Sequence, residues 1–425
     1  MKRTLWCAAL GLICLTSAIA QPVPLTLQQA EAMALANHPR LKAAQFQVDA
    51  FGFQVDQFRA PLQPILNGLA TASIADNGSR IGAGGLNASS IFTRTGYGIN
   101  IQQLLWDSGR NRELIAGARA RQQSMQEMAR AHRANVLLRV RQAYFQTLRA
   151  QKALAVAEST KQNRDLLFRQ ISALAESSLR STLDVNFAEV AVAESDILVA
   201  RTENDRRVAL VDLCAALGLT EEKDFVLTDE SLTQAAFDSV DMLVREAADR
   251  RPEVAALRKQ IAAARHQVEA DRLLNHPSVS AMGVFGHIPA GDPRLRTRYG
   301  GFGVNLTIPV LNGGLNNARR NESSANVSAL EQELRDLELR ISREVRVAYY
   351  DLENALKQMQ LTNKLLDRSA RVVRLAQTRY SNGLGSIVEL NQAELSRTSA
   401  ELADAAARYE YQTRRALLDF QLGGI

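Results

Sequence analysis

Aromatic residues are scarce, at 5% of 425 positions, while Ala, Leu, Arg, Gln and Glu dominate. That bias suits long helices. Beyond residues 1–20 there is no run of 18 or more apolar residues, which argues against a membrane-spanning helix. Of three cysteines, Cys7 and Cys14 lie in that N-terminal segment. Cys214 then stands alone, so the mature chain has no internal disulfide. Neither sign of charge prevails: 51 Lys and Arg against 45 Asp and Glu give a formal +6, too weak an excess to point to nucleic acid. His38, His132, His266, His276 and His287 show neither an HExxH phrase nor Cys/His ligand spacing, so no metal site and no cofactor is expected. No nucleophile elbow or other catalytic phrase occurs, and the chain does not read as an enzyme.

What is present begins with an address. Lys2 and Arg3 precede an apolar run from Leu5 to Leu15, and Ala18-Ile19-Ala20 forms a small-residue cleavage site. Residues 1–20 read as a secretory signal peptide cleaved near Ala20, leaving Gln21 first. Gly11-Leu12-Ile13 is a poor context for lipidation of Cys14, so no lipid anchor is expected. An exported, disulfide-free chain of this size points to the bacterial envelope.

The remainder is written twice. With His38-Pro39 placed over Arg251-Pro252, Val55 falls on Val268, Arg59 on Arg272 and Pro64 on Pro277. After a short Gly/Ser/Asn-rich insertion in the first copy, DNGSRIGAGGLNASS, the register resumes. Gly98 meets Gly303, Gly109 meets Gly314, Ala143-Tyr144 meets Ala348-Tyr349, and Leu217-Gly218 meets Leu422-Gly423. The insertion is expected to be a loop. One large unit is therefore duplicated, over residues 21–218 and 251–425, with 219–250 as a linking segment.

Each unit reads helix, strand, strand, long helix, turn, helix. Thr26-Leu27-Gln28-Gln29 is a capping-box phrase opening a short helix that ends before Pro39. Strands are expected at about 64–76, 93–105, 277–288 and 298–309. In the last of these Phe302, Val304, Leu306 and Ile308 alternate with Gly301, Gly303, Asn305 and Thr307. Period-2 alternation with one apolar and one small, polar face fits first an amphipathic strand on a core, and second a membrane-barrel strand.

Long helical hairpins are expected over 109–218 and 313–422. Val345, Tyr349, Leu352, Leu356, Met359, Asn363, Leu366, Ala370, Val373, Gln377 and Tyr380 step by four and three, the pattern of helices packed as in coiled coils. The first-copy helix would be roughly 95 Å long at 1.5 Å per residue, which suits a structure bridging two distant layers. Four strands cannot close a barrel, which needs about eight or more. An open sheet in lipid leaves its edges unsatisfied. If the strands lie in a membrane, several chains must share one barrel.

Three phrases in order along the duplicated chain carry a family likeness. They are LTLQQAEAMALANHPRLKAA, the strand-to-helix phrase PVLNGGLNNARR with its twin LLWDSGRNRELI, and the turn YSNGLGSIVELNQAEL. With these the chain resembles the TolC-like outer-membrane efflux family, nearly end to end. The resemblance implies a mainly α protein with a small β part. It implies a homotrimer whose four strands per chain form a twelve-stranded outer-membrane β-barrel, above an α-helical barrel crossing the periplasm. It further implies an exit duct for a tripartite efflux pump or a type I secretion system. Its partners would be outer-membrane lipid, a periplasmic adaptor and an inner-membrane pump of RND or ABC type. A periplasmic coiled-coil adaptor and a structural envelope spacer are the alternatives. An adaptor would need β-rich domains flanking one hairpin, whereas this chain has two hairpins.

The resemblance also places site residues. Asn382, Gly383, Leu384, Gly385 and Ser386 fall at the turn between tip helices, implied to meet the adaptor, with Leu179, Arg180 and Ser181 in the first copy. Glu389 falls where the family often has an acidic residue at the closed entrance, and Asp184 is its first-copy counterpart. Gln392 replaces a second acidic position, a departure that weakens a double acidic ring. From the residues alone, Ser386-Ile387-Val388-Glu389 is a capping box and Ser181-Thr182-Leu183-Asp184 nearly one. Helix capping therefore suffices for both acids, and a constriction role stays open beside it. The strand-to-helix joints are Asp107 and Gly109 in one copy, and Pro309, Gly313 and Gly314 in the other. Phe92, Tyr97, Trp106, Phe285, Tyr299 and Phe302 gather near the strands, as an interfacial girdle or as ordinary packing.

Overall fold

The computed structural model describes residues 23–73, 82–83, 86–87, 94–229, 239–290 and 296–425. The expected signal peptide, Gln21, Phe92 and positions 74–76 and 93 of the expected strands lie outside them. The chain runs β1 (Val23–Leu25), α1 (Leu27–Asn37), α2 (Pro39–Arg59), β2 (Ile65–Ser73), β3 (Gly82–Ala83), β4 (Leu86–Asn87) and β5 (Arg94–Trp106). The hairpin α3 (Arg110–Glu176) and α4 (Thr182–Ala216) follows. The second half comprises β6 (Phe225–Leu227), α5 (Val240–Arg250), α6 (Pro252–Arg272), β7 (Ser278–Ala290), β8 (Arg298–Thr307), α7 (Leu315–Ser381) and α8 (Ile387–Gln421).

The duplication is metrical. Both α3 and α7 have 67 residues, and both α4 and α8 have 35. At 1.5 Å per residue the long helices reach about 100 Å and their return partners about 52 Å. In each half a 21-residue helix, α2 or α6, covers the remainder and ends in a short 3-10 turn before the first strand. Both of these helices open on proline, whose fixed φ and missing N–H are tolerated at the first turn. The Thr26 capping box that opens α1 forms in full.

Helix packing follows the small residues. Helix α3 lies against α2, α4, α6 and α8, and α7 against α5, α6 and α8. The buried face of α3 includes Ala118, Ala131, Ala134 and Ala157, which lets neighbouring backbones approach closely. Of the second-copy seam, Val345, Leu352, Val373 and Tyr380 are buried. Asn363 and Gln377 are exposed. A cluster of Leu25, Ala34, Val140, Tyr144, Leu213, Leu217, Phe225 and Leu227 forms the central core at mid-length. There β1 and β6 pair in parallel, and Tyr144 Oη donates to the carbonyls of Leu25 and Thr228. The second half has its own tie: buried Arg251 donates from Nε to Gln421 O at 2.9 Å and from Nη1 to Glu344 at 2.9 Å.

Strand boundaries differ in informative places. β8 stops at Thr307, two residues before Pro309, which has no N–H for a ladder. β7 continues to Ala290. Within the expected loop of the first copy, Gly82–Ala83 pairs with Leu86–Asn87 as a minimal antiparallel turn. The linking segment 219–250 is structured where described, holding β6 and α5.

Candidate functional site

Two features stand apart from the packed helices: a sheet at one end and a pair of turns at the other. The sheet has the order β2-β5-β7-β8, with every neighbouring pair antiparallel. Leu66, Tyr97, Ile99, Phe285, Phe302, Val304 and Leu306 share one face by register, and all are exposed, Phe302 to 77%. The opposite face carries Asn67, Asn100, Gln102, Gly286, Gly301 and Asn305, with Leu69, Met282 and Val284 exposed among them. Among the described residues nothing covers the apolar face, and β2 and β8 each have one neighbour only. An uncovered apolar face of this extent belongs against lipid or another chain. Among the described residues no helix is long and apolar enough to cross a membrane.

Register separates the aromatics that sequence had grouped. Tyr97, Phe285 and Phe302 lie on the apolar face, whereas Tyr299 pairs with Gly286 and lies on the other. Its phenol covers glycine backbone: a Cβ on Gly286 would sit 2.3 Å from Tyr299 Oη, and one on Gly98 would sit 2.7 Å from it. Tyr299 is therefore no part of a girdle with the other three. Trp106 is exposed at the end of β5.

The strand-to-helix joints are built differently in the two copies. At the first, Asp107 accepts from the N–H groups of Gly109 at 3.1 Å and Asn111 at 2.7 Å, and Gly109 takes φ +93°. Ser108 Oγ donates to Pro277 O at 2.9 Å, tying the joint to the second half. At the second, Gly313 and Gly314 take φ +59° and +81°, and no side chain caps α7. Val310 and Leu311 are 90% and 92% exposed there.

At the opposite end the turns after α3 and α7 meet. Arg180 Nη2 donates to Tyr380 O at 2.7 Å, and its guanidinium lies 4.2 Å from the Tyr380 ring centroid. The Tyr380 ring is buried with Ile171, Ala188, Val373, Ile387 and Leu390. Burial pushes the Tyr380 hydroxyl up in pKa, Arg180 pulls it down and Asp184 adds to the rise. That hydroxyl is buried without a hydrogen-bond partner among the described residues.

A family model described as outer membrane efflux protein matches residues 32–219 and 243–424. The chain belongs to the outer membrane efflux protein family. It is 24% identical to outer membrane protein OprJ of Pseudomonas aeruginosa over 397 residues, covering 92% of this chain and 82% of OprJ. It is 21% identical to outer membrane protein TolC of Salmonella enteritidis over 418 residues, covering 94% of this chain and 83% of TolC. Among solved structures, a membrane protein from Pseudomonas aeruginosa superposes with a TM-score of 0.79 at 24% identity, covering 94% of this chain and 90% of that one. CusC superposes with a TM-score of 0.78 at 20% identity, covering 94% and 92%. The two matched stretches of this efflux-protein family fall on the two copies of the repeat.

The tip acids are held in ways their capping phrases do not anticipate. Ser386 Oγ accepts from Glu389 N at 3.2 Å, but the reciprocal arm is absent. The Glu389 carboxylate instead faces Arg379 Nε at 3.4 Å, and Arg379 also donates to Leu384 O at 3.2 Å. Ser181 Oγ accepts from Leu183 N, so Asp184 is not its side-chain partner. Glu389 and Gln392 are exposed and Asp184 is half-buried. Leu179, Ser181, Asn382, Gly383, Leu384 and Ser386 are exposed on the two turns, with Gly385 half-buried between them. The sequence pointed to Arg180 and Glu389 but not to their partners, Tyr380 and Arg379. The signal was faint: Tyr380 is the last apolar seam residue before the turn.

Proposed function

We propose that three copies of this chain close one outer-membrane channel, with its helices standing in the periplasm, and that it is the exit duct of a tripartite pump or type I secretion system. The observation that carries this is the pair of unfinished ends. The sheet stops at β2 on one side and β8 on the other. The helices, ordered α4-α3-α8-α7 by their packing, stop at α4 and α7. Both terminal helices bear exposed apolar stripes: Leu183, Phe187, Val190 and Ile197 on α4, and Leu361, Leu365, Val372 and Leu375 on α7. Steps of three, four and seven are the spacing of a coiled-coil seam awaiting a partner. A head-to-tail ring joins β2 to the next chain's β8 and α4 to its α7, and so satisfies all four ends.

In that ring the face of Tyr97, Phe285 and Phe302 meets lipid, and the face of Asn67, Asn100 and Asn305 lines a water-filled lumen. The tip turns at Arg180 and Leu384 are offered to a periplasmic adaptor, which couples the channel to an inner-membrane pump of RND or ABC type. Asp184 and Glu389 are proposed to line the entrance. No chemistry beyond conduction is assigned, since family members are channels. The signal peptide is proposed to leave near Ala20, with no lipid attached. Family membership leaves the adaptor and spacer alternatives without support. Purified protein in planar lipid bilayers tests the proposal: discrete ion-conducting steps are expected. Silent bilayers containing folded oligomers would overturn it.

A further inference from the structure

We propose that Glu394 makes the seam between the two hairpins sensitive to protons: neutral, it holds α8 against α3, and ionised, it favours their separation. The proposal rests on the reading of the tip as the channel entrance and adds that the hairpins separate there when it opens. A polar cavity of about 200 Å³ lies on this seam, lined by Thr160, Asn163, Gln377, Glu394, Arg397 and Thr398 among others. The hydroxyls of Thr160 and Thr398 touch across it at 3.3 Å, joining the two halves of the chain.

The two arginines that act on Glu394, Arg164 and Arg397, each already hold other acceptors. From α3, Arg164 is buried, yet its Nη1 donates to Ala191 O at 2.6 Å and to Glu194 at 3.2 Å, both on α4. Its Nε has no partner among the described residues. On α8 itself Arg397 Nε donates to Glu401 at 2.9 Å. Helix α7 presents Gln377, which is uncharged. Glu394 is left with no hydrogen bond or ion pair among the described residues. A part-buried carboxylate that holds none of the donors around it loses hydration without recovering it, so its neutral form is favoured.

Burial raises the Glu394 pKa, and Arg164 and Arg397 oppose that rise without cancelling it. Separating the hairpins rehydrates the group and returns it toward its ordinary value. The packed seam therefore binds the proton more tightly than the opened one. Acidification stabilises packing, and ionisation above the raised pKa weakens it. Each unit of pKa difference is about tenfold in the ratio of packed to opened seam.

The test reads the seam directly. Thr160 and Thr398 are replaced by cysteine in the full chain, with and without Glu394→Gln, and disulfide yield is followed from about pH 5 to about pH 8. Taking the ratio of the two backgrounds at each pH removes the intrinsic pH dependence of thiol oxidation. The ratio of native Glu394 to Glu394→Gln yield is expected near one at low pH and to fall severalfold as pH rises, because only the ionised carboxylate loses hydration in the packed seam. A ratio constant across the range overturns the proposal. Equal oligomer mass for both proteins guards against misfolding, and Glu394→Asp, which keeps the charge, is expected to follow the native profile. Absence of conductance would sink the channel reading while leaving this ratio intact, so the two failures are distinct.

Discussion

Replacing Arg180 by alanine removes the side chain that bridges the two tip turns. The guanidinium makes one charge-assisted hydrogen bond, to Tyr380 O at 2.7 Å, and one cation–π contact at 4.2 Å. A bond to a charged donor contributes roughly 1.5–3 kcal/mol, and a cation–π contact roughly 0.5–1 kcal/mol where water has access. Arg180 is half-buried, so the lower ends apply and the sum is about 2 kcal/mol. At about 1.4 kcal/mol per factor of ten, that is roughly a 30-fold shift per chain toward separated turns. In planar bilayers the Arg180→Ala channel is expected to be open for a larger fraction of the time at equal oligomer mass. Arg180→Lys should fall between, since it keeps the charge and loses the planar stack. Tyr380→Phe should leave conductance unchanged, because its hydroxyl has no hydrogen-bond partner among the described residues to lose. An Arg180→Ala channel as closed as the native one would refute the bridging role.

Other expectations concern stability. Gly218 has φ +75°, and a Cβ there would lie 2.9 Å from His38 Cα, so Gly218→Ala meets backbone as well as torsional strain. Gly109 has φ +93° but open space, so Gly109→Ala should cost only the left-handed penalty of roughly 1–2 kcal/mol. Thermal unfolding should rank Gly218→Ala well below Gly109→Ala, and the reverse order would contradict the packing at that turn. Asp107→Ala loses the carboxylate that accepts from Gly109 N and Asn111 N at the start of α3, a cost of roughly 0.5–2 kcal/mol, whereas alanine at Asn312 should cost less because no such side-chain bond opens α7 among the described residues. Tyr409 is pushed up to about 12 by burial and by Asp229. Its neutral form is thus favoured in the folded state, so its stabilisation holds below pH 10 and drains as pH rises toward 12. Denaturant midpoints measured across that range should fall less steeply in Tyr409→Phe.

Much of the architecture was legible because it is local and repeated. Alternation at Phe302, Val304 and Leu306 marks one face of a strand wherever the strand goes, and Pro309 marks its end. The duplication pins one copy's elements against the other's. What escaped depends on contacts distant in sequence. Tyr299 looked like its aromatic neighbours until register placed it over Gly286, across two strands. The three-residue strands β1 and β6 are too short to show a period, and they form only because Tyr144 and its neighbours bring them together. Glu389 fits a capping phrase, yet its carboxylate is drawn to Arg379, which the same turn folds back within reach. The bridge from Arg180 to Tyr380 spans the two copies, and no motif in either predicts it.

A density map of the purified protein in lipid nanodiscs would be decisive. Three chains are predicted to surround one lumen, with β2 of each paired to β8 of the next in a continuous twelve-stranded sheet. Separate four-stranded sheets, or a ring in which the exposed stripes of α4 and α7 stay uncovered, would contradict it.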